Sequence, residues 1–280
     1  MAKYYLWSIL LLLAACGRPE PAAQPDKTPE RLISTAPNIT EMLHDLGLDT
    51  RLVGVSSHGT RVYGPDVRIV GDFLNLNYET IVSLRPDLVI VEQSADIQKN
   101  RLDQLGIRYL ETGSLSLADV LEAVRSIGEA CHAEEASNRL IETFKKRLEE
   151  ERNAPAHRPR TLLTFGTATD GSSAQPVYAF GAGCIHSELL EIAGGDNVVT
   201  NTGPSVILSP EALLRLNPEL IIELTAGGTA NHWERLDRIE AVKQGRIYIL
   251  DGAYTCIPSP DALMQTLSDL SHIIEENAMP

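Results

Sequence analysis

Polar and apolar positions along the chain fall into two alternating kinds of block. Short runs of branched apolar residues, such as Leu88-Val-Ile-Val91 and Leu220-Ile-Ile-Glu-Leu224, have the length and composition of buried strands. Between such runs lie stretches with apolar residues at helical spacing, opened by Asn, Ser or Thr and closed by Gly or Pro. Strands that alternate with helices predict an α/β fold with parallel sheets.

The blocks recur. Asn77-Tyr-Glu-Thr-Ile-Val-Ser-Leu-Arg-Pro-Asp-Leu-Val-Ile-Val91 aligns without gaps with Ser209-Pro-Glu-Ala-Leu-Leu-Arg-Leu-Asn-Pro-Glu-Leu-Ile-Ile-Glu223. Each copy reads as a cap, an early Glu, an apolar helix, a proline, an acid and a strand. Upstream, Thr40-Glu-Met-Leu-His-Asp-Leu-Gly47 parallels Ser187-Glu-Leu-Leu-Glu-Ile-Ala-Gly194, each closed by a glycine suited to a left-handed C-cap. Strand candidates precede both, Arg31–Thr35 and Thr161–Phe165, and Arg101-Leu-Asp103 with Arg108-Tyr-Leu110 is echoed by Arg235-Leu-Asp237 with Arg246–Leu250. The expectation is two similar α/β lobes with mostly parallel sheets, residues 31–116 and 155–280.

Residues 117–154 separate these lobes and hold no Gly except Gly128 and no Pro, but many Ala, Leu, Glu, Lys and Arg. From Ala133 to Asn153 they predict one long backbone helix of about 30 Å. A helical joint of this kind implies lobes that move little relative to one another and a cleft largely formed before ligand arrives.

At the start, Lys3 precedes an apolar run from Tyr4 to Ala15, broken only by Ser8. Residues 1–15 are too few for a permanent span of about 20 residues and read as a signal peptide. Leu13-Ala14-Ala15-Cys16 resembles the bacterial lipobox, which implies that Cys16 is lipidated and becomes the mature N-terminus. Residues 16–30, with Pro19, Pro21, Pro25 and Pro29, then form a tether reaching about 40 Å. The membrane is expected to be met through this anchor only, with the folded body in the periplasm or on the extracellular face.

Composition narrows the classes of partner. With 24 basic and 38 acidic residues the formal charge is −14, the wrong sign for gripping phosphates, so nucleic acid is excluded. No P-loop and no G-x-G-x-x-G appears, so any ATP hydrolysis belongs to another chain. Seven histidines show no metal-ligand spacing, and no intrinsic metal or cofactor is expected. Of the cysteines after Cys16, Cys131 falls in the helical linker, whereas Cys184 and Cys256 fall in loops and are candidates for pairing. Cys184 and His186 stand at a helix start, but residues two apart on a helix diverge, so no nucleophile and base are formed and no catalytic residue is expected.

The runs VGDFLNLNYETIVSLRPDLVIV, GGDNVV, LSPEALLRLNPELIIEL and VKQGRIYILDG, in this order, resemble the substrate-binding proteins of bacterial ABC importers for cobalamin, ferric siderophores and haem. The resemblance extends from Arg31 to Ile274. It implies two lobes joined by a backbone helix, a small-molecule metal chelate in the cleft between them, and a monomer that docks on an ABC permease dimer with its ATPase subunits. The alternative is a lipoprotein that scavenges or senses a chelate without a permease.

The resemblance also assigns residues. Glu79 and Glu211, each in the first turn of its repeat helix, match surface glutamates that meet permease arginines; the same carboxylates complement the helix macrodipole. Ligand is expected at the loops that follow the strands, beginning at Ala36-Pro37-Asn38, Ser56-Ser57-His58, Gly71-Asp72-Phe73, Glu92-Gln93-Ser94, Gly166, Thr225 and Ala253. Phe73 and His58 match pocket positions of the family, and Tyr178, Trp233 and Tyr254 are placed to stack on a flat macrocycle. Arg61 and Arg68 are the few bases in these loops, whereas anionic siderophore chelates call for basic partners. Haem needs an axial Tyr or His, for which His58 is the N-lobe candidate. Cobalamin, a cobalt corrinoid, is therefore ranked first, with the iron chelates, ferric siderophore and haem, behind it.

Overall fold

The computed structural model describes residues 27–57, 63–72, 74–167, 176–201, 203–225, 233–252 and 257–278. His58, Arg61, Phe73, Tyr254, Cys256 and the lipobox Cys16 lie outside them.

Strands β1 (Leu32–Ser34), β2 (Leu52–Val55), β3 (Arg68–Ile69), β4 (Leu88–Glu92) and β5 (Tyr109–Thr112) form a sheet in the order β3-β2-β1-β4-β5. Every pairing in it is parallel. Helices α1 (Pro37–Asp45), α2 (Tyr78–Leu84) and α3 (Asp96–Leu105) connect its strands. The two faces bury separate clusters, one under α1 with Ile39, Met42 and Leu43, the other with Ile33, Ile81 and Leu102.

The linker consists of two helices. Helix α4 (Leu117–Ala130) opens on a capping box, in which Ser116 and Asp119 exchange side-chain and backbone hydrogen bonds. It ends at Cys131, and His132 turns the chain at φ 52° before α5 (Glu134–Glu150). Seventeen residues at 1.5 Å each make α5 about 25 Å long, so it is the backbone helix, slightly shorter than the sequence suggested. The pair lie against each other at Gly128, where a Cβ would stand 2.3 Å from Ser137 Oγ, so only glycine permits the approach.

Strands β6 (Arg160–Thr167), β7 (Val177–Phe180), β8 (Asp196–Asn197), β9 (Ser205–Leu208), β10 (Leu220–Thr225) and β11 (Ile247–Asp251) build the second sheet, with the path β11-β10-β6-β7-β9 and β8 beside β6. Its helices are α6 (Ile185–Ile192), α7 (Pro210–Leu216), α8 (Glu240–Lys243) and α9 (Pro260–Asn277). Pairings among β6, β8, β10 and β11 are parallel, but β7 runs antiparallel to β6 and to β9. The second sheet is therefore mixed, and β7 is the departure from parallel pairing. Nine residues separate Thr167 from Val177, fewer than the dozen or so that a parallel crossover requires.

The repeat is built by the same contacts twice. Arg31 Nη2 and Nε donate to Leu84 O at 2.7 and 2.9 Å, and Arg160 Nη2 donates to Leu216 O at 2.6 Å, each capping the last carbonyls of its repeat helix. Arg85 and Asn217 terminate these helices in the left-handed region at φ 47° and 40°. The acid after each proline receives the N–H that enters the paired strand: Asp87 Oδ2 accepts from Arg31 N at 3.0 Å, and Glu219 Oε2 from Arg160 N at 3.0 Å. The pattern of helix, proline, acid and strand is thus one hydrogen-bonded corner.

A single apolar cluster runs through α1, α4, α5, α6 and α9 and takes in Leu163 of β6, Ile222 of β10 and Phe144 of α5, the last at 2 % exposure. It passes without a break from one lobe to the other. At its margin, the C-terminal end of α1 meets the first turn of α9, and Asp45 faces Asp261, Glu41 and His44. Burial first, then repulsion from Asp261 and Glu41, pushes the Asp45 carboxyl up from 3.8 to about 7. The folded protein therefore holds a proton there that the unfolded chain releases. The stability this contributes is present below about pH 4 and is lost as pH rises through about 7. Asp45→Asn is expected to flatten this dependence, raising stability at pH 8 by on the order of 1 kcal/mol after solvent screening. Urea unfolding at pH 5 and pH 8 measures it; an unchanged slope with pH in the variant would contradict the assignment.

Candidate functional site

In a parallel sheet all strands end on one side, and the loops there form the natural ligand wall. In the first lobe that wall is made of hydroxyls, amides and one carboxylate. Ser34 Oγ lies 2.7 Å from Thr40 Oγ1, and Thr35 Oγ1 donates to Ile90 O at 3.0 Å. Glu92, the last residue of β4, is 8 % exposed. Asn38 in the first turn of α1 donates to its Oε1, and Ser114 donates to its Oε2 at 3.1 Å. Burial raises the Glu92 carboxyl above the usual range, and the two neutral donors oppose that shift. Ser56 Oγ at the end of β2 is buried, with no hydrogen-bond partner among the described residues.

The adjacent turn is set by Asp72, whose Oδ1 accepts from Leu74 N at 2.8 Å and Asn75 N at 2.7 Å. Gly71 adopts φ 111°, and a Cβ on it would stand 2.2 Å from Asn75 O. This turn leaves Leu74 79 % exposed.

The second lobe presents a different surface. Phe165 near the end of β6 is 37 % exposed, and its ring lies 5.8 Å from Tyr178 and 4.7 Å from Phe180. Phe180 in turn stacks on buried His186 at 4.3 Å. Tyr178 pairs across strands with Ile207 of β9, which is 61 % exposed. Directly opposed residues share a sheet face, so Tyr178 and Ile207 lie on one face. Alternation along β7 places Phe180 there too and turns Val177 and Ala179 to the core beneath α7.

The two walls meet at the back. Leu117, the first residue of α4, donates its N–H to Glu188 Oε2 of α6 at 3.2 Å. Burial first raises the Glu188 carboxyl, and this helix-end donor lowers it. The contact sets the polar end of the first sheet beside the helix that carries His186.

Of the ligand residues expected from the sequence, Tyr178 stands in the aromatic strip. Trp233 does not: it is 1 % exposed, packed among Leu162, Ile221 and Ile239, with Nε1 donating to Glu223 Oε2 at 3.0 Å. It satisfies a buried carboxylate on β10 and drops out of the ligand set. Glu92 stands where the sequence places the start of a ligand loop, whereas Phe165 and Ile207 are wall residues that the sequence does not single out. The sequence places Phe165 at the end of its strand and starts the wall at Gly166, but the strand runs on to Thr167.

Glu79 and Glu211 are exposed at the second positions of α2 and α7. Asn77 Oδ1 caps Thr80 N at 3.0 Å, and Ser209 Oγ caps Ala212 N at 3.3 Å. The Ser209 hydroxyl and the residue's own N–H hold the Glu211 carboxyl below the usual range. Asn77 N donates to Val70 O, beyond the end of β3, and Leu208 pairs with Val177, beside the end of β6, so both helices begin on the ligand-wall side. Among the described residues, Cys131 and Cys184 are buried free thiols, and burial pushes Cys131 up to about 11. Among the same residues, no group of three or more His, Cys, Asp or Glu is arranged to hold a metal.

The profile of the family described as "Periplasmic binding protein" matches residues 32–254. The chain belongs to that family. It is a binding protein, not an enzyme. It is 29% identical to YvrC, an ABC transporter substrate-binding lipoprotein of Bacillus subtilis, over 88% of this chain and 89% of that one. The vitamin B12-binding protein of Pectobacterium atrosepticum is 26% identical over 69% of this chain and 71% of its own. The fold matches an ABC transporter substrate-binding protein from Listeria monocytogenes at a TM-score of 0.75 and 20% identity, covering 90% of this chain and 100% of that one. This is the two-lobed periplasmic binding fold.

Proposed function

We propose that the chain is the lipid-anchored substrate-binding component of an ABC importer, carrying a metal-chelate nutrient, with a cobalt corrinoid ranked above a ferric siderophore or haem. The observation that carries the ligand class is the contrast between the walls. One offers exposed Phe165 and Ile207 beside half-buried Tyr178, suited to a flat ring; the other gathers neutral hydrogen-bonding groups around the buried Glu92. Lys99, beside Gln93, is already held by Asp96 and Glu111 at 2.9 Å each. A large, amide-fringed macrocycle suits this pairing better than an anionic chelate, which draws on free bases. The likeness to a vitamin B12-binding protein points the same way.

His58, Phe73, Tyr178 and Tyr254 complete the proposed contacts, and Glu79 and Glu211 are the proposed permease contacts. Cys16 carries the lipid, and residues 17–30 hold the body away from the bilayer. No described helix is long and apolar enough to cross a membrane. Deleting the gene tests the transport role: uptake of the bound chelate by the native host is expected to fall and to return with a plasmid copy. Undiminished uptake would assign the chain to scavenging or sensing instead.

A further inference from the structure

Helices α2 and α7 expose the same face in register. From Tyr78 to Arg85 and from Pro210 to Asn217 the order of half-buried, exposed and buried positions is identical. In each, the fourth residue is sealed in its lobe's core, Ile81 or Leu213 at 0 % exposure. In each, the second is an exposed glutamate and the fifth an exposed aliphatic residue, Val82 at 48 % and Leu214 at 37 %. Residues three apart on a helix are surface neighbours, so every glutamate has an uncovered apolar side chain beside it.

Scattered exposed aliphatic residues are ordinary. Recurrence at the same register, next to the same acid, in two lobes whose surfaces otherwise differ is a repeated footprint. We propose that Val82 and Leu214 are twin apolar seats for the permease, each filling a recess next to the basic group that receives Glu79 or Glu211. This rests on the docking role of the two glutamates and extends it. A partner that meets one footprint twice offers one surface twice, as a symmetric dimer does.

Charge selects this occupant over two others. The chain carries −14, so a second copy of it and an anionic bilayer surface would both be repelled at the very glutamates that border the seats. A basic protein surface with apolar recesses is attracted there. Because α2 and α7 both begin on the ligand-wall side, such a partner would cover the mouth through which ligand leaves.

Photo-crosslinking in the native host, with the full chain, tests the seats. The variants are Val82→p-benzoylphenylalanine and Leu214→p-benzoylphenylalanine, with the same probe at Glu79, at Glu211 and at exposed Lys145 on α5. Both seat probes are expected to give adducts of equal mass whose peptides come from one ABC permease chain, while Lys145 gives none. Adding Glu79→Lys to the Leu214 probe chain and Glu211→Lys to the Val82 probe chain should cut each adduct about tenfold. Adducts from the glutamate probes but none from the seat probes would overturn the proposal and leave glutamate docking intact. Adducts of seat probes with this chain itself, or with lipid, would also overturn it. No permease adduct from any position would remove the docking role as well.

Discussion

Replacing both Glu79 and Glu211 with lysine is expected to abolish uptake by whole cells while leaving the affinity of the purified body for its ligand unchanged. Both carboxylates are exposed in the first turns of α2 and α7, and neither contributes to a core cluster. The fold therefore survives their loss, with the Asn77 and Ser209 caps still in place. The proposed docking depends on opposite charge at two separated points, so reversing both turns two attractions into two repulsions. Uptake should fall at least about a hundredfold, and a single reversal should give an intermediate loss, since distant contacts contribute independently. Uptake within about twofold of the unaltered chain would show that the two glutamates serve only to complement their helices.

Truncating the aromatic strip produces the second large effect. Phe165→Ala combined with Tyr178→Ala is expected to weaken ligand binding about a hundredfold, since aromatic anchors at the centre of an interface commonly carry a factor of about ten or more each. Phe165 also touches Phe180, which is 9 % exposed, so alanine there also loosens the wall itself. Phe165→Leu separates the two contributions. It keeps apolar volume against Phe180 but removes the flat face, and most of the affinity should still be lost with thermal stability nearly unchanged. Full affinity in Phe165→Leu would move the ligand away from this strip. Trp233→Phe offers the contrasting outcome: it strips Glu223 of its indole donor, and its loss appears as destabilisation rather than as a binding defect.

The duplicated architecture was legible in the sequence because its determinants are local. Caps at Asn77 and Ser209, prolines at 86 and 218 and the acids that follow them each act within one corner, and the chain spells that corner twice. The backbone helix was legible for the same reason: its expected start at Ala133 is its observed N-cap, and it stops at Glu150, three residues short of Asn153. Antiparallel β7 was hidden because strand direction is decided by connection length and by partners distant in sequence. The ligand wall was legible mainly as loop positions. Phe165 and Ile207 acquire their meaning from cross-strand neighbours, and Glu92 from Asn38 and Ser114, none of which a local pattern names. Trp233 was misplaced because a tryptophan in a loop looks available; the acid inside the strand run Leu220-Ile-Ile-Glu-Leu224 was the clue that a buried donor had to come from somewhere.

Calorimetric titration of the body lacking residues 1–26 with cyanocobalamin, haem and a set of ferric siderophores tests the central claim most directly. Saturable one-to-one binding of cyanocobalamin, tighter than that of any iron chelate, is the result expected from an aromatic wall opposed to one of hydroxyls, amides and a single carboxylate. Tight binding of an anionic siderophore with none of cyanocobalamin would contradict it.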